Sequence, residues 1–333
     1  MNPAEPNRAN VNLKTNTLRL HSYENGVWSL DSGYFRDAFD AVHFIEDNGE
    51  VAIVDAGTKY SVPRILQSLK NRGLTPKDVR YILLTHIHLD HAGGAGLLAE
   101  HCPQAKVVVH PRGVRHLVDP SKLWRAVCQV YTQEVAERDY GEMVPISPAS
   151  ILEATEDLSL KLGARKIHFW DAPGHALHHV FIVDEGSNSI FTGDTFGISY
   201  RELDSAQGAF TFVTSSPSQF DPTTHRASVK RVMQANPKAV YLTHYSELRQ
   251  VQVAGEALLE QIEAYAELAN RHSHRESDRA TAIMADLQEL LFKQIHTHGS
   301  PLSQDELRTL LALDLRLNAD GLVCWLDRIK TSQ

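Results

Sequence analysis

Thr85-His86-Ile87-His88-Leu89-Asp90-His91 places three imidazoles and one carboxylate within six positions, 86–91. Residues two apart on an extended segment project to the same side, so His86 and His88 can face one cation. A tightening turn after them swings Asp90 and His91 toward a second. Ordinary polar loops favour Ser, Asn and Gly over repeated histidine. The run therefore reads as part of a two-ion site built from nitrogen and oxygen donors.

The surrounding pattern sets this run at the end of a strand. Residues 79–84, apolar apart from Arg80, read as a strand that delivers the chain into Thr85, and a helix is expected over 93–100. Upstream, strands are expected over 28–30, 41–45 and 51–54. The last two are joined by Glu46-Asp47-Asn48-Gly49, whose Asn-Gly supplies the positive φ angles of a hairpin. A helix follows over 62–69. Downstream come a strand over 107–110, a long helical stretch over 114–138, and strands over 159–162, 166–170, 180–183 and 189–192. A helix over 226–235 then leads through Asn236-Pro237 to a strand over 239–242. Gly93-Gly94-Ala95-Gly96 follows the histidine run and reads as permitting close packing rather than cradling phosphate.

Beyond residue 250 strand signals vanish. Leu258, Ile262, Tyr265 and Ala269 recur at helical spacing, as do Ile283, Leu287, Leu290 and Leu291, and then Leu307, Leu310 and Leu311. Ser303 with Glu306 fits a capping box for the last helix.

Composition narrows the class. Hydrophobic residues are 42% and charged residues 22% of the 333, as in ordinary globular proteins. A net charge of −8 with scattered Lys and Arg argues against phosphate-neutralising nucleic-acid binding. No apolar run approaches the roughly 20 residues of a membrane span. The start of the chain lacks the apolar segment of a signal peptide, so a cytoplasmic protein is the default expectation, with a small-molecule substrate, no nucleic acid and no membrane as partners. Cys102, Cys128 and Cys324 are isolated. They are expected to be buried fillers rather than a disulfide framework or a thiolate site.

A two-ion site needs more donors, and they stand past other expected strands: Pro173-Gly174-His175, Thr192-Gly193-Asp194 and Thr243-His244. The series His-x-His-x-Asp-His, Pro-Gly-His, Thr-Gly-Asp and Thr-His, with Asp55-Ala56-Gly57 earlier, resembles the metallo-β-lactamase superfamily, and within it the glyoxalase II-like hydrolases. The resemblance covers residues 15–250. It implies an α/β fold, a four-layer αββα sandwich, preceded by a flexible tail over 1–14 and followed by a C-terminal helical appendage over 251–333. That appendage is expected to pack on the catalytic domain or across a homodimer.

By position, the resemblance implies that His86, His88 and His175 bind one divalent metal ion, that Asp90, His91 and His244 bind another, and that Asp194 bridges them. Zinc is the expected metal, with iron or manganese as alternatives. Asp55 and His179 are implied to support these ligands. The implied reaction is hydrolysis of an ester, thioester or lactone by a hydroxide bridging the ions, with Asp90 as the catalytic carboxylate. The glutathione-holding Cys-Gly-Arg segment of glyoxalase II is replaced here by Thr195-Phe196-Gly197-Ile198-Ser199-Tyr200. His110, Phe196 and Tyr200 are expected to line the substrate pocket, with Phe210 and Phe212 extending an apolar wall, residues 214–217 adding polar contacts, and the 114–145 insertion (Trp124, Tyr131, Tyr140) capping the site.

Three rivals remain. A diiron redox or oxygen-binding protein is disfavoured because His88 stands where such relatives carry glutamate. A phosphodiesterase is disfavoured by the acidic charge. A ligand-binding protein that retains metal without turnover has the same ligand set.

Overall fold

Apolar residues alternate in destination along almost every long strand, and this period of two divides the molecule into layers. The computed structural model describes residues 18–215 and 218–331; the expected 1–14 tail and Ser216-Pro217 lie outside the described residues. The chain begins with β1 (Leu20–Ser22), β2 (Val27–Asp31), β3 (Ala41–Asp47), β4 (Glu50–Val54), α1 (Val62–Asn71), β5 (Val79–Leu83), α2 (Leu89–Ala92) and α3 (Ala95–His101). Next are β6 (Lys106–Val109), α4 (Pro111–Val118), α5 (Ser121–Tyr131), α6 (Gln133–Asp139), β7 (Ile151–Glu153), β8 (Ser159–Leu162), β9 (Arg165–Asp171), β10 (Val180–Asp184) and β11 (Ser189–Gly193). The remainder is α7 (Pro222–Ala235), β12 (Ala239–Leu242), β13 (Ser246–Leu248), α8 (Val251–Arg271), α9 (Arg279–Thr297) and α10 (Gln304–Thr331).

One sheet has the order β1-β2-β3-β4-β5-β6-β7 and the other β13-β12-β11-β10-β9-β8. Val42, Phe44, Ile53 and Ile82 face outward onto Val62, Ile65 and Leu69 of α1 and Leu98 of α3. Their strand neighbours Ile45, Ala52, Val54 and Leu83 face inward and meet Ile167, Phe169, Ile182 and Phe191 of the second sheet. The outward residues of that sheet, Phe181, Ile190 and Val240, are covered by Val229 and Val232 of α7 and by the C-terminal helices. The result is the expected αββα sandwich. At the turn between β3 and β4, Asn48 and Gly49 take φ of 51° and 77°, and Asp47 pairs with Glu50, as the Asn-Gly signal requires.

Several local expectations are corrected. The single helix over 114–138 is three. Asp119, preceding Pro120, is extended (φ −131°, ψ 92°) and ends α4, and Thr132 at φ 71° separates α5 from α6. The helix expected over 93–100 begins at Ala95, after a separate short helix α2, and Gly94 between them lies against the backbone of the 56–58 loop: a Cβ there would sit 2.5 Å from the Ala56 oxygen. Helix α7 starts at Pro222, capped by Asp221, whose Oδ1 accepts from the Thr224 amide at 2.8 Å. Strands β1, β7 and β13 are three residues each, too short to announce themselves by alternation. Only Cys102 is fully buried; Cys128 and Cys324 are half-buried.

The C-terminal helices share a core with the second sheet. Leu258, Ile262 and Tyr265 of α8, Ile283, Leu287 and Leu291 of α9, and Leu307, Leu311 and Leu322 of α10 join Phe181 and Val240 in one buried cluster. The apolar stripes are therefore covered by the chain's own sheet. The capping box forms: Ser303 N donates to Glu306 Oε2 at 2.8 Å, and Glu306 N donates to Ser303 Oγ at 3.3 Å. A polar clasp reinforces the junction. Buried Asn318 accepts from Ser215 N at 2.7 Å through Oδ1 and donates from Nδ2 to the Val213 carbonyl at 3.2 Å. Among the described residues no helix is long and apolar enough to cross a membrane.

Two outcomes follow. Deleting residues 251–333 strips one face of the second sheet, so the truncated chain should aggregate or lose cooperative unfolding; a soluble product with the full-length melting temperature would contradict the shared core. Asn318→Ala leaves the Ser215 amide and the Val213 carbonyl without these partners and should cost about 2–4 kcal/mol in urea unfolding. Exposed Arg316→Ala should stay within about 0.5 kcal/mol of wild type.

Candidate metal centre

The histidine run leaves β5 at the carboxyl end of the parallel β4-β5-β6 group. Asp194 leaves β11 and His244 follows β12, which pair in parallel in the facing sheet. Loops after parallel strands emerge on one side, so both sheets deliver their polar residues to the same edge of the sandwich. The approach is close. Gly193 takes φ 47°, and a Cβ there would lie 2.5 Å from His179 Nε2 and 2.8 Å from Thr85 Cβ, so glycine lets the Asp194 loop reach the histidine run.

Two donor groups result. In one, His88 Nδ1 lies 2.8 Å from His86 Nε2 and 3.1 Å from His175 Nε2, and Asp194 Oδ2 lies 3.6 Å from His175 Nε2. In the other, His244 Nε2 lies 3.4 Å from Asp90 Oδ2, and His91 Nε2 lies 3.8 Å from the same oxygen. The second carboxylate oxygen of Asp194 joins this group, with Oδ1 3.3 Å from His91 Nε2 and 3.8 Å from His244 Nε2. The donor atoms of His86, His88, His175 and Asp194 all lie within 4.8 Å of one another, as do those of Asp90, His91 and His244.

The outer nitrogens are held. His91 Nδ1 contacts Asp55 Oδ2 at 2.8 Å, His244 Nδ1 contacts the Phe39 carbonyl at 2.7 Å, and His175 Nδ1 contacts the Thr214 carbonyl at 3.4 Å. A ring that donates through one nitrogen presents a lone pair at the other, the tautomer a metal requires. Asp55 also accepts from Thr85 N and Thr85 Oγ1 and from Thr243 Oγ1. His179, buried beside the cradle, accepts from the Asp194 amide at 3.2 Å. It touches the backbone of the loop that carries the shared carboxylate.

The donors suit divalent cations. Burial and the neighbouring imidazoles hold His86 well below the ordinary imidazole range, and burial brings His175 down to about 3, so both rings are neutral. Burial would lower His91 and His244 too, but the carboxylates beside them prevail. Asp194, Asp90 and Asp55 hold His91 well above its ordinary value, and Asp194 and Asp90 lift His244 to about 9. Conversely, burial would raise Asp90, yet His91 and His244 hold it at about 2. These carboxylates demand positive charge, which protons or cations can supply. Among the described residues, buried His91 Nε2 and Asp194 Oδ1 have no hydrogen-bond partner, a costly arrangement in a protein interior unless something else satisfies them.

A cavity of about 740 Å³ opens onto His88, Asp90, Asp194 and His244. Tyr200 lines it and donates to Asp314 Oδ1 of α10 at 2.8 Å. Two expected pocket residues lie elsewhere. Phe196 is fully buried in the core, packed with Phe212 and the C-terminal helices. His110 caps α4 by accepting from the Arg112 amide, and its Nε2 lies 3.1 Å from Asp171 Oδ1. Phe210 and Phe212 belong to the core as well, whereas Thr214 reaches the cavity. Of the insertion's aromatics, Tyr131 and Tyr140 line the cavity and Trp124 packs against the core under the first sheet. Tyr34, Phe39, Arg112, Arg115, Leu313 and Asp314 also line it and had no signal in local sequence.

Comparison with known proteins agrees with this geometry. The chain is 27% identical to YobT of Bacillus subtilis over 54% of this chain and 70% of that protein. It is 26% identical to the metallo-beta-lactamase fold-containing protein ST1585 of Sulfurisphaera tokodaii over 49% of this chain and 59% of that one. A hydroxyacylglutathione hydrolase of Rhodopseudomonas palustris is 27% identical over 48% of each chain. The solved structure of ST1585 superposes with a TM-score of 0.63 at 19% identity, covering 90% of this chain and 98% of that one. Residues 39–244 match the family profile itself and contain every member of both donor groups, so the chain belongs to the metallo-beta-lactamase superfamily.

Proposed function

We propose that this protein is a metal-dependent hydrolase whose two donor groups hold two divalent cations, His86, His88 and His175 on one, Asp90, His91 and His244 on the other, with Asp194 shared. The observation that carries this reading is that four of the donors, His88, Asp90, Asp194 and His244, face a large, mostly apolar cavity. A purely structural metal is closed off by its ligands, whereas a catalytic one faces the substrate.

Bound there, the cations would supply hydroxide near neutral pH and polarise the scissile group. The chain's own residues do the rest. Asp90 stays ionised beside His91 and His244, and its side chain is 23% exposed. It is therefore placed to accept a proton from an attacking water and orient it. Asp55 keeps the His91 tautomer through its Nδ1 contact. Tyr34, Phe39, Ile198 and Leu317 give the cavity apolar walls, against which a bound substrate would displace water from the floor.

An ester, thioester or lactone is the proposed substrate. The cavity has the volume of a small-molecule site, and the likeness to a hydroxyacylglutathione hydrolase, over 48% of each chain, supports a carbonyl substrate. Zinc is the proposed metal, since mixed His and Asp donors suit it, with iron and manganese accepting the same set. Elemental analysis of protein expressed without added metal, followed by a panel of thioesters, lactones and phosphodiesters, tests the reading. Metal-loaded protein inactive on every carbonyl substrate would overturn it.

His86→Ala and Asp194→Asn each remove a donor and should lower metal content below two ions per chain together with activity. Two ions retained in both variants would refute the ligand assignment. Asp90→Asn should keep the wild-type circular dichroism spectrum while turnover falls at least about 100-fold, the scale of a lost acid–base or orienting group. Wild-type kcat on a genuine substrate would contradict the role given to Asp90.

A further inference from the structure

The cavity walls are chemically divided. One side is apolar, with Leu123 and Val127 of α5 and Leu313 and Leu317 of α10. Another is formed by α4, whose Arg112, Arg115 and His116 line the same cavity. Arg112 and Arg115 are exposed, stand three residues apart on the helix and therefore share a face. Among the described residues neither guanidinium is in an ion pair. Arg115 Nε donates to His116 Nε2 at 3.1 Å, which orients the guanidinium and leaves its terminal N–H groups free to donate.

This concentration of positive charge runs against the chain as a whole. Residues 111–131 hold Arg112, Arg115, Lys122 and Arg125 against one carboxylate, Asp119, in a protein of net charge −8. Beyond α4, buried His178 lines the same cavity, and its Nδ1 has no hydrogen-bond partner. A carboxylate, Asp314, lies on the α10 wall, so an anion would be repelled there and drawn to α4. Arginine pairs recognise carboxylate and phosphate by forked, charge-assisted hydrogen bonds.

Resting on the hydrolase reading above, we propose that the substrate is an amphipathic anion. Its carboxylate or phosphate seats on Arg112 and Arg115, its apolar portion lies along Leu123, Val127, Leu313 and Leu317, and its scissile carbonyl is held over the cradle between them. This chemistry excludes small neutral esters as the preferred substrates.

The test is calorimetric binding of octyl phosphate, octanoate and octanol to the metal-loaded protein, in wild type and in the double variant R112Q/R115Q. Both substituted side chains are exposed, so the fold should survive. At least one anion should bind at least tenfold more tightly than octanol, and the double variant should raise that anion's Kd at least tenfold. Which anion responds identifies carboxylate or phosphate as the recognised group. R125Q, on an exposed arginine outside the cavity lining, should leave each Kd in place. An anion Kd unchanged in R112Q/R115Q, or no preference over octanol in wild type, overturns the proposal. Octanoyl thioesters of N-acetylcysteamine and coenzyme A, assayed in parallel, separate the two readings. Anion binding that depends on the arginines without hydrolysis of any carbonyl substrate defeats the hydrolase reading alone, while hydrolysis with arginine-independent Kd values defeats the amphipathic-anion proposal alone.

Discussion

The carboxylate of Asp55 is buried where the two sheets meet, and the rest of the site is arranged around it. It follows β4 with φ 59°, a left-handed conformation that aspartate tolerates better than most residues. It accepts from Thr85, which opens the histidine run, from His91 within that run, and from Thr243, which precedes His244 in the opposite sheet. One side chain thus ties donor-bearing loops from both halves of the sandwich. A buried carboxylate is costly unless its lone pairs are satisfied, and here they are satisfied only when these loops are correctly placed. The fold and the cradle are therefore conditions of one another.

Within that frame the division of labour is electrostatic. Neutral imidazoles occupy one donor group, while His91 and His244 sit among carboxylates that draw positive charge toward them. Asp194 faces both groups through different oxygens. Much of the wall above comes from α4, α5 and α10, elements that contribute none of the donors. The candidate donors thus stand at strand ends, whereas much of the cavity wall is helical.

That separation also explains what could be read in advance. His86, His88, Asp90, His91, His175, Asp194 and His244 announce themselves because histidine and aspartate recur just past apolar strands, a local signal with few competing explanations. The layered sheets are legible too, since near-continuous apolar runs such as those of β3 and β4 mark strands covered on both faces. The cavity is not legible. Phe196 and Tyr200 are both aromatic, four residues apart and buried in the same core, yet only Tyr200 also reaches the cavity. His110 is drawn to Asp171 across 61 residues of sequence. The break in the 114–138 helix was visible at Pro120, but the positive φ of Thr132 was not.

The path of α10 across the cavity has a temporal consequence. Every member of the cradle precedes residue 245, while Leu313, Asp314 and Leu317 stand about seventy residues later in the chain. At ribosomal speeds of about 5–20 residues per second, the cradle sequence is complete several seconds before the wall that encloses it. During that interval the nascent sheet lacks both its apolar cover and one wall of the cavity, so the candidate metal ligands and the enclosure over them are completed at separate times in the birth of the molecule.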